Sequence, residues 1–203
     1  MGVLALDVVL IPDAELLSAA ITLNRALQGV PDAPIVLDQA TCLPHVSLAM
    51  GCVREEEISA IANVLDALAA AHPPIELAPT GFHVRQSRTG YLVASMELAR
   101  TAPLQALHET VMRGVDPLLS RDAAPEMFVA PESISSSTIQ WVNAYDSAAS
   151  FDRFWPHITL GMGALPDDAI PPAPGLASRL ALCQLGPHCT CRRVLVEAAL
   201  RSG

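Results

Sequence analysis

The stretch WPHITLGMG at residues 155–163 decides the fold, because the chain contains a close copy of it. LPHVSLAMG at residues 43–51 matches it position by position, with Pro, His, Leu, Met and Gly unchanged. Both stretches are mainly apolar, and proline is tolerated at the first residue of a strand. The repeat therefore predicts one device built twice, a strand that opens at a histidine.

The order of side chains in each copy predicts a polar face. Side chains alternate between the two faces of a strand, so His45 shares a face with Ser47, and His157 shares a face with Thr159. The residues between them are apolar and are expected to pack. A small residue follows on the polar face, Gly161 in the second copy, and we expect it to leave room for a ligand.

Two such strands facing each other suit displacement at phosphorus. One imidazole, neutral, takes a proton from the incoming oxygen, and the other, protonated, gives a proton to the leaving oxygen; an ordinary pKa of about 6.5 permits both forms. The sequence thus predicts His45 and His157 as catalytic residues, and Ser47 and Thr159 as substrate-binding residues. This chemistry requires no metal and no cofactor. The alternative is an old duplication whose histidines only satisfy hydrogen bonds.

The segments PHVSL at 44–48 and PHITL at 156–160 resemble the paired His-x-Ser/Thr motifs of the 2H phosphoesterase superfamily. This group includes bacterial RNA 2′,3′-cyclic phosphodiesterases and 2′-5′ RNA ligases. The resemblance implies a two-lobed, pseudo-twofold α+β fold with both motifs in a central cleft, and metal-independent hydrolysis of 2′,3′-cyclic phosphates or 2′-5′ links, reversible as ligation. The motifs are further apart than in compact members, with the extra length between residues 121 and 150, so the substrate stays open.

The remaining chain alternates helical and strand patterns. Capping residues and apolar spacing predict four helices, which follow Pro12, Glu57 and Thr101 and cover residues 133–148. Strands are predicted over 3–11, 75–86, 91–98, 178–185 and 192–200, with a hairpin turn at 87–90. We therefore expect an α+β fold with mainly antiparallel pairing, in which residues 1–203 form a single two-lobed domain.

The net charge and the composition limit the classes of binding partner that the sequence predicts. The formal net charge is -9, and such an acidic chain binds long duplex nucleic acid poorly, so a small nucleotide or an RNA end is expected. No apolar run approaches the roughly 20 residues of a membrane span, and Asp7 interrupts the candidate near the start. With no secretory signal, the five cysteines predict reduced thiols in the cytoplasm. A monomer is the default expectation.

Three further side chains bear on substrate binding. If the chain is extended before the second motif, Arg153 shares a face with Trp155 and His157, where it either clamps phosphate or stays solvated. Trp141 and Tyr145 lie at helical spacing, so they either stack a base or belong to the core.

The segment HCTC at residues 188–191 contains metal-binding residue types. It departs from the usual structural zinc site, which has four ligands and wider spacing between paired cysteines. His83 is interpreted as a surface residue and His108 as a structural one.

Two other functions stay open. One is a nucleotide-binding module that kept the cleft without turnover, and the other is a metal-binding protein that uses the cysteine turn.

Overall fold

The computed structural model describes residues 2–30, 35–86 and 90–201. The strands within them are Val3–Pro12 (β1), Val46–Arg54 (β2), Ile75–Leu77 (β3), Pro79–Gln86 (β4), Leu92–Leu98 (β5), His157–Met162 (β6), Gly175–Leu185 (β7) and Cys191–Ala199 (β8). The α-helices within them are Ala14–Ala26 (α1), Ile58–Ala71 (α2), Ala102–Val115 (α3) and Ser136–Ala149 (α4). Every pairing between these strands is antiparallel, so the predicted α+β class is confirmed.

The strands form two sheets. The larger sheet has the order β2-β1-β7-β3, and β8 pairs with the remaining length of β7 beside β3. The smaller sheet has the order β4-β5-β6. The two motif strands, β2 and β6, each lie at the edge of a different sheet, and they contact each other. The two copies of the repeat therefore meet where the sheets adjoin.

Helix α1 links the two sheets through one buried side chain. Helix α1 directly follows β1 of the larger sheet and contains Asn24. The side-chain amide nitrogen of Asn24 donates to the carbonyl of Leu160 in β6 at 2.7 Å and to the carbonyl of Ile35 at 2.9 Å. Gly161 has a φ of +143°, and a Cβ there would come within 2.7 Å of Nδ2 of Asn24. The expectation that Gly161 leaves room for a ligand is therefore wrong, because α1 occupies that space.

The helix starts follow the capping residues in the sequence. The Asp13 carboxylate accepts from the amide of Leu16 and so caps α1, and the Thr101 hydroxyl caps α3 in the same way. The fourth helix begins three residues later than predicted, with Ser135 as its cap. A short 3₁₀ turn at Pro131–Ser133 precedes it, so the helix starts later than the sequence pattern predicts.

The segment 75–86, predicted as one strand, is two strands in different sheets. β3 pairs with β7 in the larger sheet, whereas β4 pairs with β5 in the smaller one. The chain crosses between them at Ala78, whose carbonyl accepts from the amide of Ala99. Pro79 follows and has no amide hydrogen to continue the first ladder. Of the predicted hairpin turn, residues 87–89 lie outside the described residues.

The closing hairpin of β7 and β8 contains a disulfide. Cys183 and Cys191 are bonded, so the prediction that all five cysteines are reduced thiols is wrong. The two residues are eight positions apart, and hairpin pairing brings their Cα atoms to 5.5 Å. Among residues 2–30, 35–86 and 90–201, no helix has the length and apolar character needed to cross a bilayer.

Candidate active site

The first histidine is oriented by the backbone two residues before it. Nδ1 of His45 lies 2.7 Å from the carbonyl oxygen of Leu43. A carbonyl only accepts, so Nδ1 carries the proton and Nε2 is the nitrogen free to exchange one. Leu43 is itself held, since its amide donates to the carbonyl of Cys191 at 3.2 Å. The backbone residue that orients the imidazole is thus itself hydrogen-bonded to β8.

The second histidine repeats this arrangement. Nδ1 of His157 donates to the carbonyl of Trp155 at 2.9 Å, which again leaves Nε2 free. The indole of Trp155 also stacks on the imidazole, with ring centroids 4.1 Å apart and planes 22° apart. The repeated sequence therefore builds two imidazoles of the same tautomer, each locked by the carbonyl of residue i−2.

The two imidazoles influence each other electrostatically. Burial lowers the pKa of His157 to about 4, with smaller contributions from the charges of His45, Arg85 and His83. Burial also lowers the pKa of His45, against the effect of its bond to Leu43. Both rings are therefore neutral near pH 7 when no anion is bound. The contact between β2 and β6, together with the effect of a His45 charge on His157, indicates that the predicted pair lies on neighbouring strands within electrostatic range.

The two hydroxyl residues differ in their partners. Oγ of Ser47 donates to Oδ2 of Asp7 at 2.6 Å, and the backbone carbonyl of Ser47 accepts from the hydroxyl of Tyr145 at 3.2 Å. Thr159 is partly buried, and its hydroxyl has no hydrogen-bond partner in the part of the chain that the structure describes. The second hydroxyl is thus open to a ligand, whereas the first is tied to a carboxyl group.

Asp7 lies beside the first motif, although the motifs in the sequence do not single it out. It is fully buried in β1, and its Oδ2 lies 3.8 Å from Nε2 of His45. Burial raises the pKa of Asp7 well above its ordinary value, against the hydrogen bond from Ser47. The charge of Asp7 adds to burial in raising the pKa values of Tyr145 and Cys189, so both groups lie within electrostatic range of Asp7. The sequence signal that points to Asp7 is that it is the single acid within the apolar run 3–11.

Arg153 does not take the position predicted for it. Phe151–Arg153 is a 3₁₀ turn, not extended chain, so the premise that Arg153 shares a face with His157 is wrong. Phe151 has a φ of +54°, which turns the backbone away from a strand. The exposed guanidinium of Arg153 donates to the carbonyl of Ser147. The arginine whose charge reaches His157 is Arg85, in β4.

The other aromatic candidates are explained by packing. His108 is fully buried and stacks on Phe154 at 3.9 Å, and its Nε2 accepts from the amide of Phe151 at 2.9 Å, which confirms its structural role. Tyr145 is buried beneath the first motif, with the edge of its ring against Trp141. Tyr145 therefore supports the backbone of β2 from the core side.

The cysteine turn does not present the suggested pair of thiols. Cys191 is committed to the disulfide with Cys183, and Cys189 is free. Burial, followed by the charge of Asp7, raises the pKa of the Cys189 thiol, which disfavours the thiolate that metals bind. Within the described ranges, no group of three or more His, Cys, Asp or Glu side chains is placed to hold a metal ion.

Edge strands from two antiparallel sheets, each carrying an imidazole of the same tautomer, define a paired-histidine α+β protein. Residues 40–196 match the family model described as the 2′-5′ RNA ligase superfamily. This match covers well over half of the chain, and the chain belongs to that superfamily. The resemblance inferred from the two motifs is therefore confirmed.

Solved structures show the same fold. The chain is similar to TT0787 of Thermus thermophilus, with a TM-score of 0.61 and 19% identity over 98% of this chain and 99% of that chain. It is also similar to E. coli LigT complexed with NADP+, with a TM-score of 0.53 and 17% identity over 99% and 100% of the chains. For LigT complexed with 3′-AMP the values are 0.52 and 16%, over 97% and 98%. A sequence comparison with curated proteins finds no match.

Proposed function

We propose that this protein is a metal-independent phosphodiesterase that acts on 2′,3′-cyclic phosphate or 2′-5′ phosphodiester links of small nucleotides or RNA ends. The observation that carries the proposal is the matched pair of histidines, each with Nδ1 bound to a carbonyl and Nε2 left free. Two such nitrogens can move both protons of an in-line displacement. In this proposal residues 1–203 work as one two-lobed unit, and each sheet supplies one imidazole.

The surroundings favour different roles for the two rings. The charges of His45, Arg85 and His83 add to burial in lowering the pKa of His157, whereas burial alone lowers the pKa of His45, against its hydrogen bond to Leu43. Neighbouring positive charges destabilise an imidazolium, so His157 holds a proton less readily than His45 does. In cyclic phosphate hydrolysis, His45 therefore serves as the acid for the leaving oxygen and His157 as the base for water.

The hydroxyls of Ser47 and Thr159 are proposed to hold the non-bridging phosphate oxygens. Thr159 is free to donate at once. Ser47 donates to Asp7 when that carboxyl is ionised, but a protonated Asp7 can donate to Ser47 and free the serine proton for phosphate. The raised pKa of Asp7 favours this second arrangement.

A nucleotide substrate agrees with the relatives. E. coli LigT, whose fold this chain shares, has been crystallised with NADP+ and with 3′-AMP. A cytoplasmic location is also part of the proposal, although the Cys183–Cys191 disulfide counts against it, because disulfides are rare in reducing compartments.

The test is a screen of the four 2′,3′-cyclic nucleotides and a 2′-5′-linked dinucleotide with EDTA present, with the product identified by phosphorus NMR. We expect hydrolysis of at least one substrate by the wild type and by His72→Ala, since His72 only closes a helix end. We expect His157→Ala to lose most of the hydrolysis, by roughly 10²–10⁴-fold. Tight nucleotide binding without any product would instead establish the binding-module alternative, and hydrolysis that EDTA abolishes would contradict a metal-independent reaction.

A further inference from the structure

One face of the smaller sheet extends beyond the histidine pair. His83 in β4 lies opposite Ser95 in β5, and Ser95 lies opposite Thr159 in β6. Directly opposed residues of antiparallel strands point to the same side of the sheet. Arg85 lies two residues after His83 in β4 and His157 lies two residues before Thr159 in β6, so both belong to the same face, on opposite sides of the row formed by His83, Ser95 and Thr159. The face that presents the second motif therefore also carries an arginine and another histidine.

Both Arg85 and His83 lie within electrostatic range of the second histidine. The charges of both Arg85 and His83 contribute to lowering the pKa of His157. Arg85 is exposed and makes no hydrogen bond or ion pair with any residue that the structure describes. Arg121 and Arg179, in contrast, pair with carboxylates. A guanidinium with no partner among the described residues, on the same face as a proposed phosphate site, is available to bind an anion bidentately.

Trp155 fixes one boundary of this face. Its indole is 37% exposed, it stacks on His157, and its edge meets His83 with ring centroids 5.3 Å apart. Its Nε1 donates to the carboxylate of Glu97 at 3.1 Å, so the one acid opposite His157 is already bonded. The space for an additional anion therefore lies toward Arg85, away from Glu97.

We propose that Arg85 and His83 form a subsite for a second phosphate of the substrate, adjacent to the phosphate held between His45 and His157. The inference rests on the proposed function and specifies its substrate class, a nucleotide that carries a further phosphate. That group is either a 5′-phosphate or the diester to the next nucleotide of an RNA end. On a chain with a net charge of -9, an arginine beside a histidine that can donate hydrogen bonds favours one place for an anionic substrate.

The test compares three substrates: adenosine 2′,3′-cyclic phosphate, the same compound with a 5′-phosphate, and a dinucleotide that ends in a 2′,3′-cyclic phosphate. For the wild type, kcat/KM should be about tenfold higher for at least one of the two compounds with a further phosphate. In Arg85→Ala the ratio to the plain cyclic nucleotide should fall toward one. The ratio cancels any general effect of Arg85 on His157. The preferred compound identifies whether a terminal phosphate or an RNA diester occupies the subsite.

Arg54→Ala is the matched control, because it removes an exposed arginine at the end of β2 that pairs with Glu57. Its substrate ratio should equal that of the wild type. A wild-type ratio of one, or a ratio that persists in Arg85→Ala, would overturn the subsite and leave the proposed function standing. Because Arg85 is exposed, its variant should fold, which its melting temperature will verify.

If none of these three compounds is cleaved, binding measurements decide whether the subsite exists, and the wider substrate screen decides separately whether the proposed function holds. Adenosine 2′,5′-bisphosphate should then bind about tenfold more tightly than adenosine 2′-phosphate, measured by calorimetry. Arg85→Ala should remove that difference, and Arg54→Ala should not. Equal affinities in the wild type would overturn the second-phosphate subsite independently of turnover.

Discussion

Asp7 is a buried acid whose proton is linked to folding. Its pKa is raised in the folded protein, so between about pH 4 and the raised value the folded state binds more protons than the unfolded state. The stability of the wild type should therefore fall as pH rises through this range. In Asp7→Asn this proton is absent, and the variant should gain unfolding free energy relative to the wild type as pH rises.

The gain should reach at most about 1.4 kcal/mol per pH unit, the slope for a difference of one bound proton. Urea unfolding at pH 4, 5.5 and 7 measures it, and the constant effect of replacing the side chain cancels in the comparison between pH values. Asp66→Asn controls for loss of an exposed aspartate. A difference between Asp7→Asn and wild type that does not change with pH would show that Asp7 is ionised in the folded protein.

The lowered pKa values of the two histidines predict an acidic optimum. The pKa of His157 is about 4, and that of His45 lies below its ordinary value of about 6.5. Since one ring must be neutral and the other charged, kcat/KM should follow a bell with its maximum below pH 6.5. The pH profile of kcat should be shifted to higher pH than that of kcat/KM, because bound phosphate stabilises an imidazolium. A kcat/KM that rises to a plateau above pH 8 would contradict this reaction.

At the residue scale, the sequence was sufficient for side chains that depend on local pattern. His45 and His157 could be placed on facing strands because both lie in the same repeated peptide. Asp7 could not be connected to Ser47, because their contact joins residues 40 positions apart across β1 and β2. The role proposed for Arg85 could not be derived from the sequence, because it depends on the register of β4, β5 and β6.

Among the elements, the approach of α1 to β6 depends on a glycine. Alanine at position 161 would require a φ of +143° and would place Cβ 2.7 Å from Nδ2 of Asn24, which bonds two buried carbonyls. Gly161→Ala should therefore lower the unfolding free energy by roughly 2–4 kcal/mol. Gly81→Ala is the matched control, since a Cβ there meets nothing within 4 Å, and it should change stability by less than about 0.5 kcal/mol. Equal urea midpoints for the two variants would contradict this account.

Element boundaries were predictable where one residue type sets them. Asp13 and Thr101 begin helices as their side chains require. The division of residues 75–86 between two sheets was not predictable, because both halves have strand character and only tertiary pairing distinguishes them. The turn at Phe151–Arg153 was equally hidden, since a positive φ at Phe151 has no sequence signal.

On the scale of the whole molecule, the two sheets contribute one imidazole each, and this division makes a prediction about paired variants. If His45 and His157 act in a single step, His45→Ala or His157→Ala alone should remove most of the turnover, by roughly 10²–10⁴-fold. The double variant should be little worse than either single one, because groups that act as a unit are non-additive. Independent contributions would instead multiply.

The measurement is kcat on a substrate that the wild type cleaves, for both single variants and the double variant. Thr159→Ala is the graded comparison, because it removes one hydroxyl from a phosphate that retains other partners, and it should reduce kcat less than either histidine variant. Circular dichroism should show all variants folded, since both imidazoles are only partly buried and their backbone partners remain. Near wild-type turnover in either single histidine variant would exclude the paired mechanism, because an imidazole that can be removed without loss carries no proton in the rate-limiting step.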